Sequence, residues 1–301
     1  MIDAVKAFLS EHELIRTASP AYNIMIGRSF IFEIFERPHT YITVKVSRNA
    51  DLQREFESQR ASYSVLPEYV PEPLAFGESK GLFLLASEGV PHVRLTMVTM
   101  RGARKRIPCA IGEYARRSTG VFVNQKSTSQ HLDDLDNAIY SLRDRRLAIA
   151  LGSYIRSVEL EKVHMLPHIR QHGDFVINNI GITDTGIVIF DWEDFGRVEL
   201  PGFDIGLLLM SCLGYNADFI KLWFEQGVPQ DLDEVIAAAR EGLGLSRAML
   251  WMLLPLYLVH FLYLKEMFSY RPMIRDLVRY LITDLLERPP FRPDRWHSVR
   301  A

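Results

Sequence analysis

Three short stretches of this 301-residue chain hold residues that could share one reaction. The first is His172-Gly173-Asp174, with Asn179 five residues after the aspartate. The second is Asp191-Trp192-Glu193, reached at the end of the apolar run Ile187-Val188-Ile189-Phe190. The third is Lys45, set in Thr43-Val44-Lys45-Val46-Ser47. A carboxylate can orient a hydroxyl and accept its proton. Aspartate and asparagine oxygens suit a hard divalent cation. A lysine between apolar neighbours needs a partner for its ammonium when it points inward. Phosphoryl transfer calls for such a set, because it asks for positioning and charge neutralisation more than covalent chemistry.

The elements that must position these residues can be read from the patterning. Residues 2–15 read as a short helix with Val5, Phe8, Leu9 and Leu14 on one side. Tyr22–Ile26, Phe30–Phe35 and Tyr41–Val46 are β-branched and aromatic runs separated by polar turns, which predicts a three-strand antiparallel meander. A helix from about Ala50 to Leu66 carries Glu55 and Glu57, either of which could reach back to Lys45. Pro71–Gly77 leads into an apolar strand, Leu82–Ala86, that stops at Ser87-Glu88-Gly89, where the glycine suits a hinge or turn. From Gly89 to Gln130 periodicity is poor, predicting a solvated, partly mobile connection with a helix near 110–117. That stretch carries eight basic residues against the single acid Glu113, so an electropositive wall for a phosphate-bearing ligand is the alternative. Helical patterns return at about His131–Ala148 and Leu151–His164, and fill most of 204–288. Asp133, Asp134 and Asp136 suit a helix start and read as structural. The expected fold is α+β and two-lobed: an N-terminal antiparallel sheet plus helix, then a larger, mainly helical lobe.

Composition narrows the function classes. A formal net charge of -2 gives no global pull towards nucleic acid, so no nucleic-acid partner is expected. Two cysteines, Cys109 and Cys212, make neither a disulfide framework nor a metal site, which suits a cytoplasmic location. The N-terminus lacks a basic region and does not read as a signal peptide. Ala248–Leu264 is 17 residues without a formal charge, but it is short for a span and contains Pro255 and His260. It reads as a buried helix, not a membrane span.

The sequence HGDFVINN, followed by Asp191-Trp192-Glu193 and then Pro201-Gly202-Phe203-Asp204-Ile205, resembles the aminoglycoside phosphotransferase and choline kinase superfamily of small-molecule kinases. His-x-Asp-x-x-x-x-Asn is the spacing of a kinase catalytic loop, with Gly173 where protein kinases carry arginine. The resemblance implies a protein-kinase-like fold, with residues 1–88 as the nucleotide-binding lobe and 89–301 as the catalytic and substrate-binding lobe. It implies ATP and Mg2+ as cofactors. Asp174 would be the catalytic base, with Asn179 assisting in the same loop. Asn179 and Asp191 would bind the metal, and Glu193 would assist metal or substrate. Lys45 would hold the α/β-phosphates, with Glu55 as its ion-pair partner and Glu57 the substitute. Asp204 would brace the catalytic loop, and His172 is a scaffold residue of it. Residues 86–89, including Ser87 and Gly89, would meet the adenine. One departure stands out: Gly27-Arg28-Ser29 offers a single glycine where small residues usually cover the phosphates. The backbone N–H groups of Arg28 and Ser29, with the Arg28 guanidinium, could face phosphate there, or the loop could signal altered nucleotide use.

The acceptor is expected to be a hydroxyl of a small molecule of aminoglycoside, amino alcohol or sugar type. Residues 201–241 carry seven acids against Lys221 and Arg240, which favours a cationic acceptor. The basic 89–130 stretch and the arginines of 271–300 favour an anionic sugar or glycolipid. Trp192, Trp223, Trp251 and Tyr257 could cage a quaternary amine, yet aromatics at such positions are more often core. A nucleotide-binding pseudokinase module is the alternative from another class, and a homodimer is left open.

Overall fold

The computed structural model describes residues 1–16, 20–26, 29–36, 40–102, 106–124, 130–142, 144–157, 166–216, 218–219, 222, 229–267, 279–280 and 283. Gly27 and Arg28 lie outside the described residues, as do Trp223, Glu225 and the arginines after 270 other than Arg279. The chain divides into two compact units, Met1–Arg94 with Asn179–Asp194, and Leu95–Asn178 with Phe195–Ala301.

The first unit is built on a five-stranded antiparallel sheet. Its strands are β1 (Ala21–Ile26), β2 (Phe30–Glu36), β3 (Thr40–Ser47), β4 (Pro73–Ser79) and β5 (Leu82–Glu88), in the order β1-β2-β3-β5-β4. The expected meander is its first three strands; Pro71–Gly77, expected only as a lead-in, forms most of the fourth. Alternation of side chains across a strand decides which helix meets which face. Val44, Val46, Phe32, Ile34, Leu84 and Ala86 form a buried cluster with Val5, Phe8 and Leu9 of α1 (Ile2–Glu11). Lys45, between Val44 and Val46, must point to the other face, where α2 (Asp51–Tyr63) lies. A three-stranded sheet completes the unit, in which β9 (Ile180–Ile182) pairs with both β6 (Val93–Arg94) and β10 (Ile187–Ile189). The Ile189 N–H donates to Tyr69 O at 2.8 Å and so ties the β9–β10 hairpin to the segment after α2.

The second unit is mainly helical. The solvated connection expected over 89–130 is instead largely helix: α3 (Met97–Gly102) and α4 (Arg106–Val121). Helix α4 buries Ile107, Ile111, Tyr114, Ala115 and Ser118. Its basic residues obscure that apolar stripe in the sequence. The helix expected over His131–Ala148 is two, α5 (Gln130–Tyr140) and α6 (Arg145–Ser157); Asp144 Oδ1 accepts the N–H groups of Arg146 and Leu147 and caps the second. Strands β7 (Val123–Asn124) and β8 (His168–Ile169) pair beside the loop that follows β8. Among the described residues the helices that follow are α7 (Phe203–Cys212), α8 (Gln230–Gly242) and α9 (Arg247–Met267). Helix α9 holds the uncharged run with Pro255 inside it and is buried from Leu253 through Leu262. No described helix is long and apolar enough to cross a membrane.

Candidate active site

Lys45 is the centre of the first unit's site. Its Nζ donates to Glu55 Oε2 at 2.7 Å and to Asp191 Oδ1 at 2.8 Å. Glu55 lies on the buried side of α2, whereas Glu57 is exposed and accepts from Gln53. Asp191 follows β10 with φ 63°, a left-handed conformation uncommon outside glycine, at the entrance to the 3-10 turn Trp192–Asp194. That turn is anchored by Trp192, which is fully buried and donates from Nε1 to Ile189 O at 2.9 Å. Burial alone would lower the Lys45 pKa, but the carboxylates of Asp191, Glu55 and Glu193 together hold it well above its ordinary value. Burial pushes Glu55 up, opposed by Lys45.

Glu55, Asp191 and Glu193 can each offer a carboxylate oxygen within 4.8 Å of the others. Hard oxygen donors at that spacing fit a divalent cation such as Mg2+, with Lys45 already against two of them. Asn179 is across the hairpin: its C=O accepts the N–H of Phe190, the residue before Asp191, at 2.9 Å. Of the residues expected near a base, Ser87 is buried with its hydroxyl hydrogen-bonded to Gln59, and Gly89 donates its N–H to Tyr41 O at 2.7 Å. These groups are therefore engaged inside the unit, and a base here would have to meet other backbone groups of the segment. A Cβ at Gly89 would lie 2.3 Å from the Tyr41 ring, so this position has room only for glycine. Ser29 forms a bend before β2; Arg28, expected beside it, is outside the described residues.

The second unit carries the loop of Asp174. Asp204, in the first turn of α7, accepts the His172 N–H at 2.8 Å and the Gly173 N–H at 3.0 Å, one on each carboxylate oxygen. Gly173 makes this possible with φ 89°. The Asp174 N–H donates to His172 Nδ1 at 3.3 Å, which leaves the ring proton on Nε2 and makes His172 a brace for the loop. Phe175 is buried and stacks on Tyr114 of α4 with ring centroids 5.4 Å apart. Ile177 N–H donates to Ser211 Oγ at 3.1 Å. Tyr257 of α9 secures the start of α7 by donating to Pro201 O at 2.6 Å. Burial raises the Asp204 pKa to about 7 despite its two backbone N–H donors, with the Asp174 charge adding to the rise.

No family model and no curated protein sequence matches the chain. Solved structures do. A choline/ethanolamine kinase family protein from Mesorhizobium loti aligns over 97% of each chain at 16% identity, with a TM-score of 0.64. A fructosamine-3-kinase candidate from Thermobifida fusca covers 96% of this chain and 100% of its own at 15% identity, TM-score 0.65. The aminoglycoside phosphotransferase APH(4)-Ia, as a ternary complex with ADP and hygromycin B, covers 94% and 98% at 15% identity, TM-score 0.61. The chain has the two-part, kinase-like fold of these small-molecule kinase structures. Within that kinase-like fold, the first unit is the sheet-plus-helix part and the second the helical part.

Two contributors to the site carry little weight in the sequence. Glu193 joins the carboxylate cluster because the 3-10 turn brings the second residue after Asp191 back beside it. Gln59 is one helical turn after Glu55, and that i,i+4 spacing on a buried face was the signal available for it.

Proposed function

We propose that the chain is an ATP- and Mg2+-dependent phosphotransferase that moves the γ-phosphoryl group to a hydroxyl of a small molecule. The observation that carries this reading is the Lys45 ammonium, half-buried and shared between Glu55 and Asp191. When bound, Mg-ATP would supply the transferable phosphoryl group, with the Mg2+ offsetting its charge. Asp191 and Asn179, with Glu193, would hold the metal; Lys45 would hold the α/β-phosphates, oriented by Glu55. Asp174 would orient the acceptor hydroxyl and take its proton, its loop fixed by Asp204 and His172. The ADP and hygromycin B in one neighbour, and the choline/ethanolamine assignment of another, support a nucleotide donor and a small hydroxylated acceptor.

The acids of 201–241 do not argue for a cationic acceptor as their number suggests. Asp204 is buried in the loop brace, Asp231 pairs with Arg101, Asp233 with Arg247 and Glu241 with Arg240. The test is a coupled ADP-release screen over aminoglycosides, amino alcohols, sugars and nucleosides, repeated with Asp174→Asn. Loss of a general base typically costs about 10²–10⁴-fold, so turnover should fall by that order while Mg-ATP affinity by calorimetry stays within a few-fold. Full turnover in the variant would remove Asp174 from this role. Absence of nucleotide binding in the unmodified protein would favour a binding module.

A further inference from the structure

Gln59 is a buried amide that the phosphotransferase reading does not use. It faces inward from α2, one turn after Glu55, and is 5% exposed. Its Nε2 donates to Pro71 O at 2.7 Å and to Ser87 Oγ at 3.0 Å, and the Ser87 hydroxyl lies 3.3 Å from its Oε1. Ser87 is on β5 opposite Thr43 of β3, two residues from Lys45. Helix α2 is thus tied to the sheet twice within one turn, by Glu55 to Lys45 and by Gln59 to Ser87 and the chain entering β4. A buried amide with its partners in place holds its geometry, because moving away would leave polar groups unpaired in the interior.

The second tie matters because Lys45 has two carboxylates to choose between, at nearly equal distances. A helix that drifted from the sheet would take Glu55 with it and leave the ammonium against Asp191. Asp191 would then be neutralised within the protein, and Lys45 would be turned away from any phosphate. We propose that Gln59 is a positioning residue for nucleotide binding: by fixing α2 to Ser87 and Pro71 it keeps Lys45 shared between Glu55 and Asp191.

This inference rests on the phosphotransferase reading, and the experiment separates the two. Gln59→Met keeps much of the side chain's volume and removes every polar contact; Ser87→Ala removes one acceptor and leaves Pro71. Mg-ATP affinity is measured by calorimetry and α2 amide protection by hydrogen exchange on the free protein. One buried hydrogen-bonded anchor is worth about a tenfold change in equilibrium. Gln59→Met should therefore weaken Mg-ATP binding about tenfold and speed α2 exchange. Ser87→Ala should do the same more mildly, and the double variant should be no worse than Gln59→Met alone. A lower thermal midpoint with unchanged Mg-ATP affinity would make Gln59 merely structural and overturn the inference, as would unchanged α2 exchange in a folded Gln59→Met protein. If the unmodified chain binds no Mg-ATP, the phosphotransferase reading itself fails and takes the inference with it.

Discussion

Asp204 shows what a single residue is asked to do at this site. It is buried, its two oxygens take consecutive backbone N–H groups, and the Asp174 charge is near enough to oppose its own. Burial lifts its pKa to about 7 from a model-peptide value near 4. A folded-state pKa above the unfolded one means the folded protein binds the proton more tightly. That stability is complete below the unfolded pKa and is lost as pH rises towards 7. Asp204→Asn cannot ionise, but it sets an amide NH2 donor against one of the two backbone N–H donors. Chemical denaturation from pH 4.5 to 8 should show the unmodified protein losing up to a few kcal/mol that the variant does not lose. Parallel pH profiles for the two proteins would show that Asp204 is ionised throughout.

Among the elements, the crossing of α4 and α8 is where packing is least forgiving. A Cβ on Gly242 would lie 2.3 Å from the Gly112 carbonyl oxygen and 2.8 Å from the Arg116 nitrogen; one on Gly112 would lie 2.9 Å from the Ala238 oxygen. These are backbone atoms and cannot rotate aside. Gly242→Ala should therefore cost about 1–3 kcal/mol, the usual range for overpacking, read as a lower denaturation midpoint. An unchanged midpoint would mean that the helices separate at little cost. This crossing also marks how far the sequence could be read. β-Branched and aromatic runs bounded by turns announced β1, β2 and β3, a continuous apolar run announced β5, and the HGD and DWE clusters marked both site loops, because strand composition and turn chemistry are local. Only the middle of α4, near 110–117, is legible as helix in the sequence, because its inward face mixes Ile107 and Ile111 with Gly112, Ala115 and Ser118 among arginines. Small residues bury well only against a partner as close as α8, and that partner lies more than a hundred residues on in the sequence. For Gln59 the i,i+4 spacing after Glu55 marks only a shared helix face; its role depends on Pro71 and Ser87, which are distant in the sequence.

At the scale of the whole molecule, the path of the chain couples the two units. The first unit takes Met1–Arg94 and then, after the 84 residues Leu95–Asn178, the hairpin Asn179–Asp194, which brings Asp191 to Lys45 and Trp192 to the core. While the second unit is folded, the ends of that intervening stretch are fixed. Were it to unfold alone, the hairpin could stay in place only by closing a flexible loop of those residues, at an entropic cost of about 4–5 kcal/mol. That is comparable to the entire stability of many small domains, so the first unit should not outlast the second. The chain carries its own probe for one unit: both cysteines are in the second, with Cys109 exposed on α4 and the Cys212 thiol pushed up to about 12 by burial. A thiol reagent at pH 8 should modify exposed Cys109 quickly in the native protein, and half-buried Cys212, with its raised thiol pKa, far more slowly until unfolding. Trp192 fluorescence, with Trp223, Trp251 and Trp296 replaced by phenylalanine, reports the first unit. Denaturant titrations should give one midpoint by Cys212 modification and by Trp192 emission. A Trp192 transition at higher denaturant than that of Cys212 would mean that the hairpin holds Asp191 beside Lys45 without the second unit, and that loop closure is not what joins them.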